Sequence, residues 1–199
     1  MGEAEFTVPS WHEIDRMLNR LVEMVRRDSF RPDIIIGVSR GGLIPAAVLS
    51  DRLGVDFDAV GLRFYKSVQN TEQAPKIVQH ISSDLRRKKV LIVDDVADTG
   101  HSLQAVKRYV QEKGVEDMMV CTLHYKPCSV IKPDRFVEET NAWIIYPWEL
   151  NETARDVAKK LTAKGLARSE IKKEILRMGI TEEKVASTIC LFALKDGSP

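Results

Sequence analysis

Val90-Leu91-Ile92-Val93-Asp94-Asp95-Val96-Ala97-Asp98-Thr99-Gly100-His101-Ser102-Leu103 is the stretch that decides the fold of this 199-residue chain. Four consecutive β-forming residues lead into two acids. A short Thr-Gly-His-Ser turn then leads into a helical pattern with Leu103, Val106 and Val110 on one face. The order predicts a buried parallel strand, a loop at its carboxyl end, and a helix whose first turn presents N–H groups without intrahelical partners. In an open α/β sheet, ligands sit in the crevice at the carboxyl ends of the strands. Acids followed by a phosphate-sized nest suit a ligand that carries both a diol and a phosphate, such as ribose 5-phosphate. Carboxylates accept from vicinal hydroxyls, while loop amides and the helix start hold the dianion.

Working outward, the same alternation of strand and helix recurs. Trp11 to Arg27 carries Trp11, Ile14, Met17, Leu18, Leu21, Val22 and Val25 as a helical stripe, with Ser10 placed to cap it. Asp33 to Val38 is a near-continuous apolar run, as expected of a strand covered on both faces. Gly41-Gly42 opens a helix from Leu43 to about Leu53, and a strand follows from Phe57 to Leu62. Residues 64–77 are polar, lack a period and read as a long mobile loop. A further strand spans Met118 to Leu123, and a segment reaches Trp148. Strands alternating with helices imply a doubly wound, mostly parallel α/β sheet with right-handed crossovers. From about Asn151 the character changes to amphipathic helical patterns: Ala154 to Lys164, Ser169 to Met178 and Glu182 to Leu194, with Gly165 and Gly179 as end-caps. The expected organisation is one domain over residues 1–150 and a helical C-terminal extension over residues 151–199.

Two further clusters carry chemistry. Val38-Ser39-Arg40-Gly41-Gly42 repeats the strand–loop–helix logic: the glycines let amides approach an anion and Arg40 offers a fork suited to phosphate. Tyr125-Lys126-Pro127 follows a strand, and Asn141-Ala142-Trp143-Ile144-Ile145-Tyr146-Pro147-Trp148-Glu149 lies further on. A fixed donor and a stacking ring are how proteins generally hold a flat heterocycle.

Asp94-Asp95, Thr99-Gly100 and Ser102 fall on the spacing of the phosphoribosyl-pyrophosphate (PRPP) motif, and the chain resembles the type I phosphoribosyltransferases over residues 9 to about 150. The Ser39-Arg40-Gly41-Gly42 loop resembles the pyrophosphate loop of the xanthine-guanine members. Lys126 with Trp143, Ile144, Pro147, Trp148 and Glu149 resembles their purine pocket. The resemblance implies transfer of ribose 5-phosphate from PRPP to a purine base, giving a nucleoside monophosphate and pyrophosphate. A 6-oxopurine such as hypoxanthine, guanine or xanthine is the implied base. By this resemblance Asp94 and Asp95 hold the ribose hydroxyls, and Asp98, Thr99, Gly100, His101 and Ser102 hold the 5′-phosphate. Ser39, Arg40 and Gly41 bind pyrophosphate, with a non-proline cis peptide at Ser39–Arg40. Asp98 is the general base, Lys126 donates to the exocyclic O6, Trp143 stacks, and Ile144 offers its backbone. Tyr65 and Lys66 are the residues of the 64–77 loop placed to reach the ligand. Mg²⁺ is the implied cofactor, held by Asp95 largely through PRPP, with Glu149 as a second possible ligand. Two departures stand out: His101 occupies a position that is often Gly, and Cys128-Ser129 follows Pro127 where the bacterial enzyme ends in Gly.

Composition bounds the rest. A net charge of +1 exerts no global pull toward nucleic acid or membrane. Cys121, Cys128 and Cys190 follow no ligand spacing, so no zinc site or disulfide frame is expected and Cys121 reads as a small buried thiol; His12, His80 and His124 have no partner pattern and read as structural. With no apolar run near 18 residues and no signal-peptide pattern, the expectation is a soluble cytoplasmic protein; a homodimer or higher homo-oligomer is expected as well. An adenine-preferring enzyme is one alternative. A PRPP-sensing, nucleic-acid-binding regulator is another, because Arg168 to Leu194 can be read as a helix-turn-helix. The complete base pocket argues against the regulator, as do Glu170, Glu174, Glu182 and Glu183 among the tail's lysines; the tail holds ten basic and seven acidic residues.

Overall fold

The computed structural model describes residues 6–65, 74–181 and 183–187. In chain order the elements are β1 (Phe6–Thr7), α1 (Trp11–Arg27), β2 (Ile34–Ser39), α2 (Leu43–Leu53), β3 (Phe57–Tyr65), β4 (Ala74–Gln79), β5 (Lys89–Ala97), α3 (His101–Gln111), β6 (Asp117–Tyr125), β7 (Arg135–Glu139), β8 (Trp143–Ile144), α4 (Leu150–Ala163) and α5 (Arg168–Arg177). The chain forms two compact units, residues 15–141 in one and residues 1–14 with 142–199 in the other.

Residues 15–141 are built on a six-stranded sheet in the order β4-β3-β2-β5-β6-β7. β2 pairs parallel with both β3 and β5; β5 with β6 and β6 with β7 are also parallel, and only the β3–β4 pair is antiparallel. Residues 34–38 of β2 are all buried, which is why they read as an unbroken apolar run. The two-residue period sends Ile34, Ile36 and Val38 into a core shared with Leu103, Val106 and Val110 of α3. Gly37 points the other way: a Cβ there would stand 2.8 Å from the Ala46 Cβ of α2. Helices therefore cover both faces of the sheet. The unit β2-α2-β3 winds away from the centre in one direction and β5-α3-β6 in the other, so the winding reverses between β2 and β5. In open α/β sheets such a reversal is where ligands are bound, outside the carboxyl ends of the strands.

The α1 stripe is buried as its spacing predicts, at Met17, Leu18, Leu21, Val22 and Val25. Its start is a reciprocal cap: Glu13 N–H donates to Ser10 Oγ at 3.2 Å, and Ser10 N–H donates to Glu13 Oε2 at 2.7 Å.

Three expectations are corrected. The 64–77 stretch is not one loop: β3 continues to Tyr65, and residues from Ala74 onward form β4, paired antiparallel with β3. Residues 66–73, and Lys66 with them, lie outside the described residues. The strand escapes notice because β4 is an edge, where only Ile77 packs onto the core. Pro75 is tolerated there since an edge strand has a side with no ladder to complete. Second, Asp94 and Asp95 do not terminate their strand; β5 runs through them to Ala97, and the loop begins at Asp98. Third, the segment leading to Trp148 holds two strands, β7 and β8, that no periodicity announced.

In the unit of residues 1–14 and 142–199, β1 and β8 pair parallel, with Phe6 opposite Trp143 and Thr7 opposite Ile144. α4 and α5 are the expected tail helices, residues 183–187 are helical again, and Gly165 and Gly179 follow the first two with φ of 80° and 86°. Their apolar stripes are mutually covered: Ala154, Ala158, Ile171, Ile175, Met178, Ile180 and Val185 form one core with Ile145 and Leu150, and Phe6 and Val8 pack on it. Among the described residues no helix is long and apolar enough to cross a membrane. Ile175 is fully buried in this core, so Ile175→Ala should cost about 2–5 kcal/mol in urea unfolding. A loss well under 1 kcal/mol would show that this cluster is loosely packed.

Candidate active site

The loops after β2 and β5 meet at the reversal of winding, and their contact is backbone against carboxylate. A Cβ added to Gly41 would collide with the Asp95 carboxyl group, and one at Gly42 would collide with Val93 O and stand 2.9 Å from Asp94 Cα. Neither position admits a side chain, so the Gly-Gly pair is required by close approach. Gly42 N–H donates to Val38 O at 2.8 Å and Leu43 N–H to Arg40 O at 3.2 Å, which folds the loop tightly into α2. The Ser39–Arg40 peptide is cis, and Arg40 is exposed.

Asp94 and Asp95 are each only 8% exposed. Burial pushes the Asp94 carboxyl well above the usual carboxylate range, and the charge of Asp95 pushes it further. Donation from the Asp95 N–H to Asp94 Oδ1 (3.0 Å) and from the Gly42 N–H opposes that shift without cancelling it.

Gly100 caps α3 with φ of 81°, a left-handed backbone that favours glycine, and no side chain caps the helix. The first amides of α3 thus have no capping side chain, the arrangement that helix starts use to hold anions. Segment 126–131 is laced onto this loop. Lys126 N–H donates to Ala97 O at 3.0 Å and Val130 N–H to Thr99 O at 2.9 Å. The Cys128 thiol points at Asp98 O, 3.8 Å away. Lys126 Nζ lies 3.0 Å from Asp98 Oδ1; the lysine side chain is 14% exposed and the aspartate 51%. An ion pair that open adds little to stability, but it sets an ammonium and a carboxylate face to face beside the 98–102 loop.

The structure therefore brings together Ser39, Arg40, Gly41, Asp94, Asp95, Asp98, Thr99, Gly100, His101, Ser102 and Lys126 around two neighbouring loops. Tyr65 ends β3. Trp143 and Ile144 form β8 in the other unit, with Trp143 57% exposed and Ile144 buried. There Trp148 stacks on Tyr146 at 4.7 Å and meets Trp11 at 5.8 Å. Glu149 stands at the start of α4, and its Oε1 accepts from Tyr146 N–H at 3.2 Å.

Two residues escaped the sequence reading. Ser129 Oγ fills the place where a Cβ on Gly100 would collide, and bonds Ile131 O at 2.8 Å. The only hint was its position in a departure from the family pattern. Thr122, wholly buried on β6 opposite Asp94, was hidden inside an apolar run.

With this geometry in view, the chain belongs to the phosphoribosyl transferase domain family, whose model matches residues 9–153. A xanthine-guanine phosphoribosyltransferase of Chromohalobacter salexigens is 30% identical over 150 residues, 73% of this chain and 85% of that protein. Another from Idiomarina loihiensis is 28% identical over 151 residues, 74% of this chain and 88% of its own length. Among solved structures, a purine phosphoribosyltransferase from Pyrococcus horikoshii superposes with a TM-score of 0.67 at 39% identity, covering 72% of this chain and 93% of that one. The chain is thus a phosphoribosyltransferase, a pentosyl-transferring enzyme.

His124, two residues before Lys126, is 2% exposed, with Nε2 3.9 Å from Glu138 Oε2. Burial pushes its pKa down from 6.5 to about 4. The unfolded chain therefore takes up this proton first as pH falls, so the native state loses stability from about pH 6.5 down through 4. His124→Gln should flatten that part of the curve, measured as urea midpoints across this range. An unchanged slope would assign the acid sensitivity to other groups.

Proposed function

We propose that the chain is a purine phosphoribosyltransferase of purine salvage that takes PRPP and a 6-oxopurine, such as hypoxanthine, guanine or xanthine, to the nucleoside 5′-monophosphate and pyrophosphate. The observation that carries the reading is the 3.0 Å Lys126–Asp98 pair beside the 98–102 loop, which supports it by holding a cationic donor and a carboxylate side by side. The names borne by the relatives support the same chemistry.

In this reading the ribose 2′ and 3′ hydroxyls donate to Asp94 and Asp95, and the amides of Thr99 to Ser102 hold the 5′-phosphate, with the His101 ring beside it. Ser39, Arg40 and Gly41 receive the pyrophosphate. The C1′–oxygen bond breaks with its electron pair leaving on pyrophosphate, and the purine N9 bonds to C1′. Asp98 takes the proton given up at N7 of the base, Lys126 donates to O6, and Trp143 and Ile144 carry the stacking and backbone roles that the motif spacing assigns them. The protein's contribution is chiefly positioning of the sugar and stabilisation of the departing charge.

The donor chemistry fits a magnesium ion. Two buried carboxyl groups side by side, one held above its usual range by burial and then by the charge of the other, are relieved by a divalent cation, and both offer the hard oxygens magnesium prefers. Among the described residues no group of three or more acidic, histidine or cysteine side chains converges on one point, so Asp95 would share the ion with ligand oxygens and water. Glu149, already accepting from Tyr146, fits less well. When bound, the ion supplies positive charge beside the pyrophosphate. We further propose a cytoplasmic homodimer or higher homo-oligomer, with residues 1–150 as the transferase domain and 151–199 as its helical extension.

Pyrophosphate release with PRPP and each of hypoxanthine, guanine, xanthine and adenine tests the reading; turnover of adenine alone would overturn its 6-oxopurine part. Asp98→Asn should lower kcat about 10²-fold while PRPP affinity stays near wild type, and undiminished turnover would remove Asp98 from the chemistry. Lys126→Ala should raise KM about 10–100-fold for 6-oxopurines and much less for adenine, since a charged donor to a carbonyl contributes about 1.5–3 kcal/mol. Equal losses on every base would make Lys126 structural.

A further inference from the structure

Among the described residues the buried polar side chains are Asp94, Asp95, Thr122 and His124, and all lie on β5 or β6. The two acids have a task in the reading above, and His124 has Glu138 near it. Thr122 has neither: it is 0% exposed, and its hydroxyl has no hydrogen-bond partner among the described residues. A buried hydroxyl left unpaired costs free energy that a valine of the same shape would not. Its register partner on β5 is Asp94, while its partner on β7 is Phe136. Neighbouring strands lie about 4.8 Å apart, so the Thr122 and Asp94 side chains leave the sheet side by side, and across the other ladder there is only a phenyl ring.

We propose that Thr122 is a positioning residue for Asp94, its hydroxyl donating to that carboxyl group, directly or through one buried water, when a sugar diol engages it. The inference rests on the reading of Asp94 and Asp95 as the ribose site. A carboxylate that accepts from a ligand hydroxyl on one side must be held against rotation from the other. On β5 itself Asp94 is held by the Asp95 N–H at 3.0 Å, and the loop amide of Gly42 supplies another donor. Both donors are main-chain groups at the rim of the crevice. Thr122 would add a donor from beneath, on a strand fixed between two parallel neighbours. Rotation about one bond is enough to aim the hydroxyl, so the donor can stand idle without ligand and engage with it. Thr122 does not touch the reacting atoms in this scheme; it acts through Asp94.

The test compares full-length wild type, Thr122→Val and Thr122→Ser by calorimetric titration with PRPP and magnesium, with melting temperatures and the KM for the purine measured on the same proteins. Thr122→Val should bind PRPP about tenfold more weakly, the loss expected for one hydrogen bond to a charged group. Its KM for the base should be unchanged and its melting temperature no lower than wild type, because only an unpaired hydroxyl is removed. Thr122→Ser should return PRPP affinity to within about threefold. Wild-type PRPP affinity in Thr122→Val overturns the inference. So does a lowered melting temperature in both variants with equal loss of affinity, which would make Thr122 a packing residue. If the wild type itself binds no PRPP, the ribose-site reading fails, a result distinct from either of these.

Discussion

Two buried carboxyl groups pressed against a glycine backbone are the constraint on which the rest of this structure depends. Asp94 and Asp95 stand inside a strand, nearly closed to water, and the Gly41–Gly42 main chain covers them so closely that a single methyl group at either glycine would collide. Charge in such a place is costly unless something answers it. At Asp94 the answer is N–H donation from Asp95 and Gly42 together with a raised pKa. In the proposed reading, ligand hydroxyls and a cation complete the arrangement, and perturbed carboxyl pairs of this kind are characteristic of functional sites.

The fold supplies that constraint at little expense elsewhere. Reversal of winding between β2 and β5 makes two loops diverge over one crevice. Each loop opens a helix, one through Gly42 and one through Gly100. The second loop is then made rigid from outside: segment 126–131 bonds to it at Ala97 and Thr99 and fills the void beside Gly100 with Ser129. The same lacing carries Lys126 to Asp98. The group read as recognising the base and the loop read as holding the phosphate are thus one mechanical piece, and a disturbance in either should be felt in the other.

The departures from the family pattern acquire meaning in this setting. Ser129 is a residue that packs on Gly100. Cys128 turns its thiol toward the Asp98 carbonyl. Both lie on the lacing itself and outside the acid pair.

Much of this was legible in the sequence because its signals are local. An apolar run ending at acids, a Thr-Gly turn and a 3.6-residue stripe specify strand, anion loop and helix within fifteen residues of one another. Gly-Gly after a buried strand does the same at residues 37–43, and α1, α2, α4 and α5 follow from their stripes and caps. What the tertiary structure alone decided depends on residues far apart in the chain becoming neighbours. The edge strand β4 is stable because β3 lies beside it, and its own sequence has too little buried surface to show a period. Gly41 needs to be glycine because Asp95, 54 positions later, lies beneath it. Lys126 meets Asp98 because β5 and β6 are adjacent and in register. Thr122 looks like any residue of an apolar strand until the sheet places Asp94 beside it. Local periodicity sets which elements form; strand order and register, which follow from how those elements bury their faces together, set which side chains can act as one site.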